Sequence, residues 1–190
     1  MKSERMSAGR PRASSRDTIE EAAAELFLEQ SYHGTTIEEI TQRAGVSRAT
    51  FFNYFGSKSD LLWIDADHAI ERLEELVESG KPLRAALASV AAEVGPERVP
   101  LAVTQSDAMG TRDELVASGL VRVARVAALL RSALPQEAGE GRHSLALNVR
   151  ANSLAGAVVA AWGSWIMGGI DRAPLADYLR DALALVQLEQ

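Results

Sequence analysis

The sequence predicts an all-α protein. Alanine, leucine, glutamate and arginine recur at helical spacing along the chain, whereas runs of alternating β-branched and polar residues do not occur. Of the 190 residues, 47% are hydrophobic and 24% are charged, which is typical of a soluble globular protein with one or two small domains. Glycine and proline mark turns between the helical stretches, near Gly34, Gly45, Gly56, Gly80, Gly95-Pro96, Pro100, Gly110, Pro135–Gly141 and Pro174.

The first predicted helix begins near Asp17, where Glu20 stands three residues on, as in a capping box. Its apolar residues fall on one face, and the helix is expected to stop within residues 30–34.

Two shorter helices follow. One opens at Thr36 with Glu39 three residues later, and Gly45 ends it. The next has Ser47 as its N-cap and runs to about Phe55. Two short helices joined by a Gly-containing turn predict a helix-turn-helix unit.

The outer face of the third helix is the most informative local feature. Phe51 and Phe55 lie four residues apart and are expected to pack inward together. The opposite face then carries a guanidinium, a methyl group, an aromatic ring and an amide, from Arg48, Ala49, Phe52 and Asn53. These groups suit base edges or the sugar–phosphate backbone. Spacing alone also allows a small core helix whose outer face has no partner.

The pattern from Thr35 to Leu62 resembles the DNA-binding domain of the tetracycline-repressor (TetR) family. The matching residues read Thr35-Thr36-Ile37-x-x-Ile40-x-x-x-Ala44-Gly45-Val46-Ser47-x-x-Thr50-Phe51-Phe52-x-Tyr54-Phe55-x-Ser57-Lys58-x-x-Leu61-Leu62, and the likeness extends over roughly residues 15–63. One departure is Phe52, where the family often has a tyrosine whose hydroxyl binds phosphate; Tyr54 is a candidate to replace that contact.

The resemblance implies a role for each matching residue. Thr36 and Ser47, at helix N-termini, suit phosphates. Arg48, Thr50 and Asn53 are candidates for base contacts, and Tyr54 and Lys58 for backbone contacts. The full predicted DNA-binding set is Thr36, Ser47, Arg48, Ala49, Thr50, Phe52, Asn53, Tyr54 and Lys58.

The charge distribution agrees with a local DNA site. The chain carries a net charge of −6, which excludes a generally basic protein that coats nucleic acid. Residues 1–16 nevertheless hold five basic residues against one acidic residue, and they contain no apolar stretch typical of a secretory signal. Residues 1–15 are therefore interpreted as a basic arm that either lies along DNA or is a solvated tail.

The remaining chain, residues 61–190, predicts a helical effector-binding and dimerisation domain beside the DNA-binding domain of residues 16–60. A long helix is expected over about residues 57–79, with Leu62, Ala66, Ala69, Leu73, Leu76 and Val77 facing inward, and three more helices over residues 82–134. The small aliphatic residues of residues 82–134 are compatible with a cavity and equally with a filled core.

Residues 151–170 contain no charged residue, which raises the possibility of a membrane span. Their high alanine and glycine content argues against insertion. The alternative is a helix with a bulky face (Ala151, Leu154, Val158, Trp162 and Trp165) and a small face (Ser153, Gly156, Ala160, Gly163 and Met167). Helices at about 144–169 and 175–188 are then the predicted homodimer surface, and the sequence leaves open which face meets the partner.

An enzyme is not predicted. Cysteine is absent, which excludes thiolate chemistry and fits a reducing cytoplasm, and His33, His68 and His143 are scattered. No phosphate loop, nucleophile elbow or metal-spaced cluster is present, so neither a cofactor nor a metal is expected.

The resemblance implies a cytoplasmic transcriptional regulator, a repressor that binds an inverted-repeat operator on double-stranded DNA as a homodimer. A small apolar or amphipathic effector is expected to release it, in a pocket lined by Met109, Arg122, Trp162 and Trp165. Arg122, Arg125 and Arg150 are either anchors for an acidic head group or ordinary surface arginines. The alternative function is a helical protein-interaction module without DNA binding.

Overall fold

The computed structural model describes residues 15–95, 99–135 and 144–186. The predicted arm of residues 1–15, apart from Ser15, lies outside these ranges, as do His143 and the end of the predicted 175–188 helix. Within the described residues the all-α prediction is confirmed, because every regular element there is helical.

Three helices form the N-terminal part: α1 (Ser15–Gly34), α2 (Ile37–Ala44) and α3 (Arg48–Tyr54). Helix α1 is interrupted at Gln30 and Ser31, where Ser31 takes a φ of 66°, so its regular part ends inside the predicted range of residues 30–34. Gly45 ends α2 with a φ of 68°, a conformation that favours glycine and turns the chain into α3.

The predicted helix over residues 57–79 is wrong as a single element. Residues Lys58–Leu62 form a 3₁₀ turn, and α4 (Ile64–Glu78) begins only after Trp63. Trp63 cannot continue a helix at its φ of −124°. Its indole Nε1 donates to Ser118 Oγ at 2.8 Å, so this distant contact accompanies the break.

Four helices rather than the predicted three are described between residues 82 and 134. They are α5 (Leu83–Glu93), α6 (Leu101–Thr104), α7 (Ser106–Met109) and α8 (Arg112–Ala133). Helices α9 (Leu145–Met167) and α10 (Leu175–Leu185) follow and pack on each other. None of the described helices is long and apolar enough to span a bilayer.

Two hydrophobic clusters organise the chain. The first, which we call the N-terminal cluster, joins α1, α2 and α3 to the 3₁₀ turn and to Met109 of α7. The second, the C-terminal cluster, joins α4, α5, α8, α9 and α10 around the fully buried Trp165 and Leu130. Residues 61–64 pack in the N-terminal cluster although the predicted boundary falls at residue 60.

The two faces of α9 differ as the sequence predicts. Its bulky face points into the C-terminal cluster, where Ala151, Leu154 and Trp165 are buried. Its small face, with Gly156, Ala160 and Gly163, is exposed on this chain. A Cβ atom added at Gly156 or Gly163 would meet no atom within 4 Å, so the chain's own core does not use this face.

Candidate nucleic-acid interface and effector cavity

Helix α3 presents a sharply divided surface. Phe51 and Phe55 are buried, at 0% and 4% exposure, and hold α3 against α1 and α2, as the sequence predicts. Arg48, Ala49, Phe52 and Asn53 are exposed together on the other side. Because α3 contains no acidic residue, Arg48 gives this face a positive charge.

Arg48 lies over the ring of Phe52, with Cζ 5.3 Å from the ring centroid. This cation–π contact restricts the side-chain freedom of an exposed arginine. Phe52 in turn packs edge-on against the buried Phe51, with ring centroids 5.3 Å apart. The aromatic ring at position 52, which lacks the family's hydroxyl, thus supports the guanidinium beside it.

The N-caps of α2 and α3 form as predicted. The Oγ1 of Thr36 accepts from the backbone N–H of Glu39 at 3.2 Å, and the Oγ of Ser47 accepts from that of Thr50 at 3.0 Å. The Glu39 carboxylate also accepts from the N–H and the hydroxyl of Thr36, both at 2.8 Å, and these bonds lower its pKa. Glu39 therefore occupies the two donors of Thr36 that a phosphate would use.

Lys58 has an internal role that the sequence did not indicate. Its Nζ donates to the carbonyl oxygens of Tyr32 and Thr35, each at 2.7 Å, and lies 4.0 Å from the centroid of the Tyr32 ring. Burial lowers the pKa of Lys58 and raises that of Tyr32 to about 12. The ammonium group joins the end of α1 to the 3₁₀ turn after α3, and it has one further N–H for an external acceptor.

Asp60 fixes the chain just beyond α3. Its Oδ2 accepts from the backbone N–H groups of Gly56 and Ser57, at 2.9 and 3.0 Å. Its Oδ1 accepts from Nη2 of Arg122 at 3.2 Å. One carboxylate therefore connects the segment after α3 to α8, and its two partners lie 62 residues apart in sequence, a connection that no local pattern reveals.

Arg122 also binds Asp67 of α4, with Nε donating to Oδ1 at 2.8 Å and Nη2 donating to Oδ2. Its guanidinium lies over the indole of Trp63, with Cζ 5.3 Å from the ring centroid. Gly119 makes this packing possible, since a Cβ there would come within 3.0 Å of Trp63 Cζ2.

A cavity of about 180 Å³ lies in the C-terminal cluster. Trp63, Gly119 and Arg122 line it together, along with Asp65 and apolar side chains of α4, α5, α8, α9 and α10. Of the four predicted effector-pocket residues, Arg122 and Trp162 line this cavity.

The other two predicted pocket residues, Met109 and Trp165, lie outside this cavity. Met109 is 1% exposed and packs in the N-terminal cluster, because the short helix α7 lies against α1. Trp165 is 0% exposed and fills the C-terminal cluster itself. Both residues were predicted as pocket residues because they are apolar. The sequence contains no signal that places α7 against α1.

Comparison with known proteins agrees with the site. Residues 19–62 match the family model described as bacterial regulatory proteins, tetR family. The regulator HbdR of Aromatoleum sp. (strain CIB) is 38% identical over 60 residues, which are 32% of this chain and 26% of HbdR. The repressor AcnR of Corynebacterium glutamicum is 33% identical over 72 residues, 38% of each chain.

These matches place the N-terminal domain among bacterial DNA-binding regulators of the helix-turn-helix type. Residues 19–62 of this chain thus carry a DNA-binding domain of the TetR family type. The matched part spans between a quarter and two fifths of the length of these two relatives. Among solved structures, Thermus thermophilus FadR, a TetR family repressor in complex with lauroyl-CoA, is 24% identical with a TM-score of 0.48, over 90% of this chain and 92% of FadR.

Lys58→Met is expected to lower the free energy of unfolding by about 1–3 kcal/mol, because two partly buried carbonyl groups lose their donor. Arg48→Met, which removes an exposed cation from the same domain, is expected to change it by no more than about 0.5 kcal/mol. Urea unfolding followed by circular dichroism compares the two variants. Equal effects would contradict the structural role of Lys58.

Proposed function

We propose that this protein is a ligand-responsive transcriptional regulator, a repressor that binds an inverted-repeat DNA operator as a homodimer. The observation that carries the proposal is the exposed face of α3, where Arg48, Ala49, Phe52 and Asn53 stand together on a helix anchored by buried Phe51 and Phe55. A bidentate arginine matches guanine and an asparagine matches adenine in the major groove. A regulator of this kind works in the cytoplasm, where the DNA is.

The remaining predicted DNA contacts are part of this proposal. Thr50 and Tyr54 flank the exposed face of α3, and Ser47 stands at its N-terminus. Lys58 uses its free N–H for a phosphate, while Thr36 contacts one only when Glu39 releases its hydroxyl. These positions surround the base-reading residues with groups that fix the helix on the DNA backbone.

The operator and the role of Arg48 are tested together. Selection of bound DNA from a random pool at fixed salt is expected to return an inverted repeat with half-sites about 34 Å apart, or a multiple of that distance. Arg48→Ala is expected to lose about 1–3 kcal/mol of discrimination between the selected operator and a scrambled site. Arg84→Ala, which removes an exposed arginine from α5, provides the control for net charge.

An equal loss on both DNA sequences would make Arg48 a backbone contact rather than a base contact. Recovery of no DNA sequence at all would favour the second function, a protein-interaction module that uses the same exposed face.

The dimer is proposed to form through α9 and α10. The small face of α9 is exposed, and Met167 at its end is 80% exposed. Leu185 near the end of α10 is 85% exposed. Glycine and alanine allow two helix backbones to approach closely, and a two-fold axis places the same face on both subunits. That axis also relates the two α3 helices, as an inverted repeat requires.

Gly156→Leu and Gly163→Leu are each expected to yield folded, soluble monomers, because the added side chain meets no atom of its own chain. Ala85→Leu, at an exposed position on α5, is expected to stay dimeric. Sedimentation equilibrium reports the oligomeric state and circular dichroism reports the helix content. Dimeric Leu variants at both glycines would move the interface elsewhere.

Effector binding is proposed to act through Trp63 and Arg122 in the lining of the cavity. Trp63 stands where the 3₁₀ turn meets α4, and Arg122 ties α8 to Asp60, which holds the chain after α3. A molecule that displaces either side chain therefore changes the attachment of the recognition helix. The effector releases DNA only if it binds more tightly when Trp63 or Arg122 is displaced than when both side chains are in place.

Gly119→Ala tests this connection without any effector. The new Cβ would lie 3.0 Å from Trp63 Cζ2, so the indole must shift to accommodate it. We expect DNA affinity to fall at least about fivefold, the lower end of allosteric couplings, together with a shift in tryptophan emission. Ala85→Leu, at an exposed position on α5 that does not line the cavity, is expected to leave both unchanged. A shifted emission with unchanged DNA affinity would contradict the connection.

A further inference from the structure

The cavity in the C-terminal cluster has few groups that can bind a charged ligand. Most of its lining is alanine, valine, leucine, isoleucine and tryptophan side chains, together with Gly119. The two ionisable residues that line it are Asp65 and Arg122. An apolar cavity of about 150 Å³ is known to bind a molecule of the size of benzene. The volume here, about 180 Å³, suits a molecule with a single aromatic ring or with two fused rings.

The charge of Arg122 is already satisfied within the protein. Its guanidinium, whose side chain is 13% exposed, donates to both carboxylate oxygens of Asp67, to Asp60 Oδ1 and to the carbonyl oxygen of Ser118. These bonds use four of its five N–H groups. An acidic ligand could therefore form a bidentate pair with Arg122 only by displacing a carboxylate that is held in place by the fold.

The balance of charge around Arg122 is negative. Asp65 lines the cavity and Asp60 and Asp67 bind Arg122 behind its wall, while the nearby Arg125 is paired with Glu74, so four carboxylates stand against two guanidinium groups. Asp65 is partly exposed and keeps access to water. A carboxylate brought into the cavity would be desolvated beside this excess of negative charge, which is unfavourable.

We propose that the cavity selects an uncharged apolar molecule about the size of a bicyclic aromatic, and that it excludes carboxylic acids. Arg122 then serves to close the cavity and not to anchor an acidic head group. This inference rests on the proposed function, which makes the cavity the effector site.

Three probes of one shape and different charge test the selection: 1-methylnaphthalene, 1-naphthoate and 1-naphthylmethylammonium. Equilibrium dialysis against the full-length protein at neutral pH measures their dissociation constants. The neutral compound is expected to bind at least about tenfold more tightly than the acid, because burial of an unpaired carboxylate costs more than 1.4 kcal/mol, the free energy of a tenfold change. Ala69→Phe, which fills the cavity, is expected to abolish this binding.

Asp67→Asn identifies the cause of the selection. It removes one carboxylate from Arg122, so the affinity for 1-naphthoate relative to 1-methylnaphthalene is expected to rise about tenfold. Glu74→Gln is the matched control, since Glu74 pairs with Arg125 across the same two helices and neither residue lines the cavity. If Asp67→Asn does not fold, Asp60→Asn removes the second carboxylate of Arg122 and is expected to change the ratio in the same direction.

The outcomes separate this inference from the proposed function. Tighter binding of 1-naphthoate by the unmodified protein would overturn the charge selection and leave the effector site intact. If the ammonium bound more tightly than 1-methylnaphthalene, the proposed preference for an uncharged molecule would be wrong, and Asp65 would be assigned a cation site. Binding of none of the three would overturn the effector site, and the inference with it.

Discussion

The ion pairs of Arg122 connect α8 both to α4 and to the segment that follows α3. Its guanidinium bonds to Asp67 of α4 and to Asp60 just beyond α3, and it covers the indole of Trp63. The Arg122 side chain is 13% exposed, and its partners Asp67 and Asp60 are 22% and 32% exposed, so removal of either carboxylate leaves the guanidinium poorly solvated. The cavity wall and the attachment of α3 therefore depend on the same few side chains.

The sequence alone predicted the features that depend on neighbouring residues. The Thr36–Glu39 capping box, the Ser47 cap and the inward packing of Phe51 with Phe55 each follow from residues three or four positions apart. Helical periodicity also predicted that α9 has one face of bulky residues and one face of small residues. It could not predict that the small face is the exposed one, because both faces are apolar.

The features that the sequence could not predict depend on residues far apart in the chain. The helix predicted over residues 57–79 breaks at Trp63, whose indole bonds to Ser118 and fits over Gly119. Lys58 reads as a typical DNA-backbone contact, yet its ammonium bonds to carbonyls 26 and 23 residues earlier. Met109 packs on α1 because α7 lies there, a placement that no local pattern encodes.

The residues that line the cavity fall into two groups for protein engineering, those that also contact the segment after α3 or one another and those that do not. Trp63, Gly119 and Arg122 are constrained by contacts with one another and with the segment after α3, so in the proposed mechanism their replacement would change the response of DNA binding as well as the choice of ligand. Val90, Val94 and Val158 line the same cavity and have no such contacts among the hydrogen bonds and ring contacts described. A library restricted to these valines would vary the recognised compound while the output mechanism stays constant, which is the separation that a designed biosensor requires.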